Sequence, residues 1–196
     1  MNLKKNEVKE HLNRRSRLHE ILIALIKQQK DLELMDDGVR VFENHNNNDV
    51  INFIKHQNTD LIINLGTPRI LKNKILKSSK IGVLNCHPGI LPFYRGCNCV
   101  EWALLNKDII GNTCHLMTEK IDEGPIIYKK YLKYSNKDNY YEIRARIYDQ
   151  SLTCIKESIK ILSNCQDLKR FEFPKNGKYW NKMNKKDFKK ILKYYS

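Results

Sequence analysis

Asn85, His87 and Asp122 are the residues of this chain whose types and spacing could do chemistry together. Val83-Leu84-Asn85-Cys86-His87-Pro88-Gly89 reads as an apolar strand ending in an amide and an imidazole, and Ile121-Asp122-Glu123-Gly124-Pro125 carries a carboxylate on a later turn. Residues i and i+2 of a strand share a face, and open α/β sheets place ligands at the carboxyl ends of their strands. The chemistry such a triplet could perform is acyl transfer to an amine. Asn85 can donate from its carboxamide to the oxyanion of a tetrahedral intermediate without changing its own charge. His87, titrating near neutrality, can add to that stabilisation or pass a proton. Asp122 can hold His87 in one tautomer, or accept through water the proton that the amine must lose. A structural role fits the same residues, with Asn85 capping a turn, His87 packed in a loop and Asp122 opening a turn.

The wider pattern is more specific. Asn85-x-His87-Pro88-Gly89-x-Leu91-Pro92-x-Tyr94-Arg95-Gly96, then Gly111-x-Thr113-x-His115, then Ile121-Asp122-x-Gly124-Pro125-Ile126-Ile127 resembles the formyltransferase family. That family includes glycinamide ribonucleotide, methionyl-tRNA and nucleotide-sugar formyltransferases, and the three motifs follow one another in its order. The resemblance is clear over residues 60–132. It implies a Rossmann-like α/β fold with a mostly parallel sheet flanked by helices, 10-formyltetrahydrofolate as formyl donor, and Asn85, His87 and Asp122 as catalytic residues. It further implies that Arg69, Ile70 and Leu71, together with Thr118, Glu119 and Gly124 in the turn around Asp122, line the folate pocket. Pro88, Gly89 and Arg95 would face the acceptor. Read without the family, Arg69 is a solvated helix start, Arg95 a locally paired loop arginine and His115 a packed strand histidine.

The elements that must position these residues follow from periodicity. Leu18, Ile21, Leu22, Leu25 and Ile26 form one face of an amphipathic helix after a polar, frayed stretch over residues 1–17. A short strand over residues 39–42 and a helix over residues 49–56, with Asn48 as N-cap, come next. Residues 60–65 are a nearly continuous apolar run, as in a strand covered on both faces. A short helix over residues 70–76 and a strand over residues 81–85 complete a parallel βαβ pattern. Residues 100–105 read as a helix with Trp102 in the core, and residues 111–118 and 125–132 as strands, the latter antiparallel to its neighbour. A long helix over residues 138–163 carries the apolar stripe Ile143, Ile147, Leu152, Ile155, Ile159 and Leu162.

Composition bounds the rest. A chain of 196 residues with 41% hydrophobic and 30% charged residues fits one globular domain with a proper core. This domain covers residues 1–167, with residues 168–196 as a basic tail or short helical element. No run is long enough to span a membrane and no signal peptide opens the chain, so the expected location is cytoplasmic. Six cysteines occur without a Cys-x-x-Cys pair; Cys86, Cys97 and Cys99 lie near His87 but off the spacing of paired zinc ligands, so no metal is expected. The net charge is +14, and residues 168–196 hold ten Lys or Arg against Glu172 and Asp187. Interleaved with aromatics, that tail could bind RNA or another polyanion, although no nucleic-acid motif is present. A solvated lysine-rich surface explains it as well.

The chain also departs from the family. No glycine precedes Gly38 and no apolar strand precedes the first helix, so the opening strand, glycine-rich turn and helix look reduced or absent. A glycinamide ribonucleotide acceptor is therefore disfavoured, and residues after 163 cannot hold the barrel of methionyl-tRNA formyltransferases. A nucleotide-linked amino sugar is the acceptor least contradicted. A sheet edge left open by the missing strand could be covered in a homodimer.

Overall fold

The computed structural model describes residues 42, 44–67, 70–135 and 137–196. The expected first helix, the expected opening deficit and all of the strand at residues 39–42 except Phe42 lie outside the described residues. Residues Asn46–Ser196 form one compact unit.

In chain order its elements are α1 Asn48–His56, β1 Leu61–Asn64, α2 Asn73–Leu76, β2 Gly82–His87, β3 Arg95–Gly96, α3 Cys99–Leu105, β4 Ile110–Leu116, β5 Ile126–Leu132, α4 Tyr140–Ser163, β6 Tyr179–Trp180 and α5 Lys185–Tyr194. The main sheet runs β1-β2-β4-β5. All seven residues of β4 are buried, so this strand has no face open to solvent. β1 and β2 are parallel, joined through α2, and pair Asn64 with Asn85. β2 and β4 are antiparallel, pairing Asn85 with His115 and His87 with Thr113. β5 is antiparallel to β4. The mostly parallel sheet expected from the family is therefore parallel only across β1 and β2 among the described residues. The reason is local: residues 117–125 link β4 to β5 without a helix, and a parallel pair needs a helical or similarly long crossover.

α4 packs across the sheet, its start fixed by a capping box between Asn139 and Glu142. Ile143, Ile147 and Leu162 are buried as the periodicity predicts, but Leu152 is 40% exposed. The buried face instead runs through Gln150, Cys154 and Ser158. These polar side chains fit the face because their hydrogen bonds close on nearby backbone: Ser158 Oγ donates to the Cys154 carbonyl, and Gln150 Nε2 to the Lys130 and Tyr131 carbonyls of β5. A buried ion pair of Glu101 and Arg144, with the Tyr140 hydroxyl donating to Glu101, ties α3 to α4.

The basic C-terminal segment is woven into this core. β6 lies parallel to β3, and Trp180 stacks on Tyr94 with ring centroids 5.4 Å apart, touches Trp102 and donates from Nε1 to the Phe93 carbonyl. Lys178 Nζ sits 3.7 Å over the Trp180 ring. Met183, Ile191 and Tyr195 are buried against α3 and α4. Trp102, expected in the core, is half-buried under this strap and donates to the Asn181 carbonyl. Trp180→Ala should cost about 3 kcal/mol of unfolding free energy in urea titrations, the usual scale for truncating a well-packed aromatic. The variant should also lose order at Arg95 and Gly96, seen as faster amide exchange there.

Candidate active site

The antiparallel register of β2 and β4 builds the site. Directly opposed residues in such a pair share a face, so Asn85, His115, His87 and Thr113 form one patch at the carboxyl end of β2. The loop after β4 brings in Asp122, held in the left-handed region at φ 53°. Its Oδ2 lies 3.5 Å from His87 Nδ1 and its Oδ1 lies 3.5 Å from His115 Nε2. The Gly96 N–H donates to Oδ2 at 2.8 Å. The three residues predicted as catalytic are thus brought together, and His115 joins them. Their side chains are almost sealed from water, at 11% exposure for Asp122, 6% for His87 and 2% for His115. Asn85 is partly open.

Proton positions follow from the fixed acceptors. His87 Nε2 is 2.7 Å from the Tyr94 carbonyl, which can only accept, so Nε2 carries the proton and Nδ1 turns its lone pair toward Asp122. The Tyr94 carbonyl, rather than Asp122, therefore sets the neutral tautomer, and what Asp122 stabilises is the charged ring. His115 Nδ1 donates to the Leu116 carbonyl at 3.2 Å, which leaves Nε2 to accept from Asn85 Nδ2 at 3.3 Å. Burial pushes the Asp122 carboxyl up, but a hydrogen bond from His115 when its Nε2 is protonated, the charge of a protonated His87 and the Gly96 N–H outweigh it and bring it down to about 2. Burial holds His87 below its ordinary value, against the pull of Asp122 and the Tyr94 carbonyl. At such a low value Asp122 is a poor base by itself. A proton delivered here settles on a ring nitrogen facing the carboxylate.

Several neighbours have a positioning role that the sequence did not display. Thr113 Oγ1 donates to the Gly89 carbonyl at 2.7 Å and accepts from the Leu91 N–H at 3.1 Å, pinning the loop after His87. A Cβ on Gly89 would stand 2.7 Å from His87 Nε2 and 2.8 Å from the Tyr94 carbonyl, so that glycine leaves room for the hydrogen bond that fixes the ring. Arg95, expected to face the acceptor, donates to the Ile121 carbonyl and pairs with Glu123. It clamps the Asp122 loop from both sides. The strap matters here too, because the Arg95 N–H donates to the Lys178 carbonyl and the Cys97 N–H to the Trp180 carbonyl, presenting Gly96 to Asp122.

The expected folate-lining residues divide. Arg69 lies outside the described residues. Ile70 is 70% exposed and its carbonyl accepts from Asn46, whereas Leu71 is buried beside Val50 and Ile75. Only its backbone could reach a ligand. Glu119 is exposed and Thr118 half-buried, its hydroxyl donating to the Lys120 carbonyl. Gly124 is a packing glycine, since a Cβ there would collide with the Leu116 carbonyl. Cys86 points away from His87 and packs with Cys114 and Cys154, as strand alternation requires.

The match to known proteins agrees with this geometry. The family model described as Formyl transferase matches residues 6–159. A methionyl-tRNA formyltransferase of Borrelia garinii is 28% identical over 151 residues, which cover 76% of this chain and 46% of that protein. The bifunctional polymyxin resistance protein ArnA of Wigglesworthia glossinidia brevipalpis is 31% identical over 121 residues, 61% of this chain and 18% of that protein. The chain spans less than half the length of these two curated relatives. Among solved structures, the formyltransferase PseJ of Anoxybacillus kamchatkensis, in complex with UDP-4,6-dideoxy-4-formamido-L-AltNAc and tetrahydrofolate, is similar at 26% identity and a TM-score of 0.56, covering 69% of this chain and 70% of that one. A 4-N formyltransferase of Francisella tularensis is similar at 25% identity and a TM-score of 0.60, covering 81% and 61%.

Acidification should weaken the fold in two windows. Below about pH 6.5 the unfolded chain charges His87 more readily than the buried native ring, so stability falls toward the lower native value. Asp122 contributes stability above its unfolded value near 4, and this is lost as pH falls toward about 2, an effect of about 2 kcal/mol. Urea midpoints between pH 7 and pH 2 should show both windows in the wild type, and a shallower second window in Asp122→Asn, where Asp138, Asp187 and Glu157 still contribute. By the length of the family match and the geometry of its residues, this chain belongs to the formyl transferase family.

Proposed function

We propose that this chain moves a formyl group from 10-formyltetrahydrofolate to a primary amine, and that the amine is carried by a nucleotide-linked sugar. The observation that carries the reading is the sealed cluster of Asn85, His87, His115 and Asp122, with one amide edge left partly open. The donor supplies a formyl group on nitrogen, whose carbonyl carbon is open to attack by an amine. Asn85 is half-buried, its Oδ1 is taken by Asn64 and one Nδ2 hydrogen by His115, so the second Nδ2 hydrogen would donate to the carbonyl oxygen as it gains negative charge. The His87–Asp122–His115 cluster would take up the proton that the attacking amine loses, with the carboxylate holding the charged ring in place, and the proton would return to the donor nitrogen as its bond to the formyl carbon breaks and tetrahydrofolate leaves. His87 has both nitrogens committed to protein groups, so it would act through its charge rather than by touching the substrate. The exposed turn at Glu119 and the exposed Ile70 fit the edge of a folate pocket. The sugar acceptor is favoured by the likeness to PseJ, whose complex holds a formylated sugar nucleotide with tetrahydrofolate.

The reading of residues 168–196 as an RNA-binding tail loses its main support, because Trp180, Phe188 and Tyr195 of that segment are packing residues of the core. Calorimetry with 5-formyltetrahydrofolate, followed by tetrahydrofolate release in the presence of nucleotide-linked amino sugars, tests the proposal. Saturable folate binding is expected in both wild type and Asp122→Asn, with turnover lower in the variant by about 10³-fold. Absence of folate binding in the wild type, or turnover by Asp122→Asn equal to wild type, would overturn it.

A further inference from the structure

The carboxamide of Asn85 serves an oxyanion only with its NH2 end facing the open side. Turned by 180° it would present an oxygen instead, and the two orientations have nearly the same shape. Something must choose between them. Asn64, at the end of β1 and the register partner of Asn85, donates from Nδ2 to Asn85 Oδ1 at 2.9 Å. The amide of Asn64 is in turn fixed by backbone, because its Oδ1 accepts from the Gly66 N–H at 3.2 Å and the Thr67 N–H at 3.0 Å. Backbone N–H groups can only donate, so Asn64 must keep its oxygen toward them and its NH2 toward Asn85. On the far side, Asn85 Nδ2 meets His115 Nε2, whose ring is held by the Leu116 carbonyl.

We propose that Asn64 is a positioning residue: the run Gly66/Thr67 N–H, Asn64, Asn85, His115 is a one-way relay of donors that locks the Asn85 amide with its NH2 toward the reacting group and holds His115 as the Nδ1–H tautomer. The inference deepens the formyl-transfer reading and rests on it for its catalytic meaning. The relay itself does not depend on any substrate. Each link as far as Asn85 has a single allowed polarity, so reversing one reverses those after it; at His115 Nε2 the Asp122 Oδ1 stands 3.5 Å away as a competing acceptor, and the relay is what selects the accepting state of that nitrogen.

Asn64→Asp is the reversing substitution. The carboxylate keeps the shape of the amide and still accepts from Gly66 and Thr67, but its second oxygen now confronts Asn85 Oδ1. Asn85 relieves this by turning over and donating to the introduced carboxylate, and so aims its own oxygen at His115 and at the open side. His115 must then carry a proton on Nε2. Asn64→Ala removes the chooser without reversing it. Two measurements follow, on the full chain. In nitrogen NMR of the histidine rings at mildly alkaline pH, His115 Nε2 should appear unprotonated in the wild type and protonated in Asn64→Asp. In formyl transfer, kcat should fall about 10²-fold in Asn64→Asp and less in Asn64→Ala, with KM for the folate donor within about twofold of wild type in both. A merely structural asparagine would give the opposite order, since the alanine variant loses more contacts and the aspartate variant keeps the shape. A His115 Nε2 signal that does not respond to Asn64→Asp, or an alanine variant with lower kcat than the aspartate variant, would overturn the proposal. If the wild type transfers no formyl group, the functional reading fails, and the NMR comparison still decides whether the relay exists.

Discussion

A carboxylate almost removed from water is the constraint on which the rest of this structure depends. Asp122 keeps its charge only because an N–H and two imidazole rings surround it, and a buried charge left without partners would be costly. Each of those partners needs its own support. The histidines need the β2–β4 register, since a one-residue slip would turn both to the other face of the sheet. Gly96 needs the C-terminal strap that holds β3 in place. The loop bearing Asp122 needs the Arg95 clamp and a glycine at position 124, where no side chain fits.

A common logic runs through these supports, in that polar side chains at the site take their orientation from backbone atoms. The Tyr94 and Leu116 carbonyls set the two rings, and Thr113 holds the loop between them through the Gly89 carbonyl and the Leu91 N–H. Backbone groups cannot change their donor or acceptor character, so a site anchored on them favours one pattern of proton positions. Electrostatic stabilisation is strongest when its dipoles need no reorganisation at the moment of reaction. The low exposure of Asp122 and the two histidines adds to that effect by keeping water from competing for the same bonds.

Much of this was legible in the sequence, and the parts that were not share a cause. The β-α-β order around residues 60–85, the long capped helix and the grouping of Asn85, His87 and Asp122 could be read from periodicity and motif, because local pattern determines them. Leu152 was misplaced because the buried face of α4 accepts Gln150 and Ser158, whose hydrogen bonds close on backbone that no linear pattern reveals. The pairing of Arg95 with Glu123 was not legible, because the two lie on separate loops far apart in the chain. Asn64 was passed over as the polar end of an apolar strand. The signal that could have found it is that two strands predicted to be adjacent and parallel both end in asparagine. In the C-terminal segment, ten basic residues interleaved with aromatics read as a surface for a polyanion, yet Trp180, Phe188 and Tyr195 among those aromatics pack on the core while Phe173, Tyr179 and Tyr194 stay exposed.

The strap has a consequence for how the protein is made. Trp180 donates to the Phe93 carbonyl across 87 residues of sequence, so the loop beside His87 and Asp122 is completed by chain that leaves the ribosome long after it. Until then the nascent chain holds every motif of the family in a site whose carboxylate lacks its Gly96 donor. Such long-range closure is slow to form, because the entropy of bringing distant segments together must be met first. Until residues 179 and 180 are in place, β3 lacks its pairing strand and the rings of Tyr94 and Trp102 lack the indole that covers them.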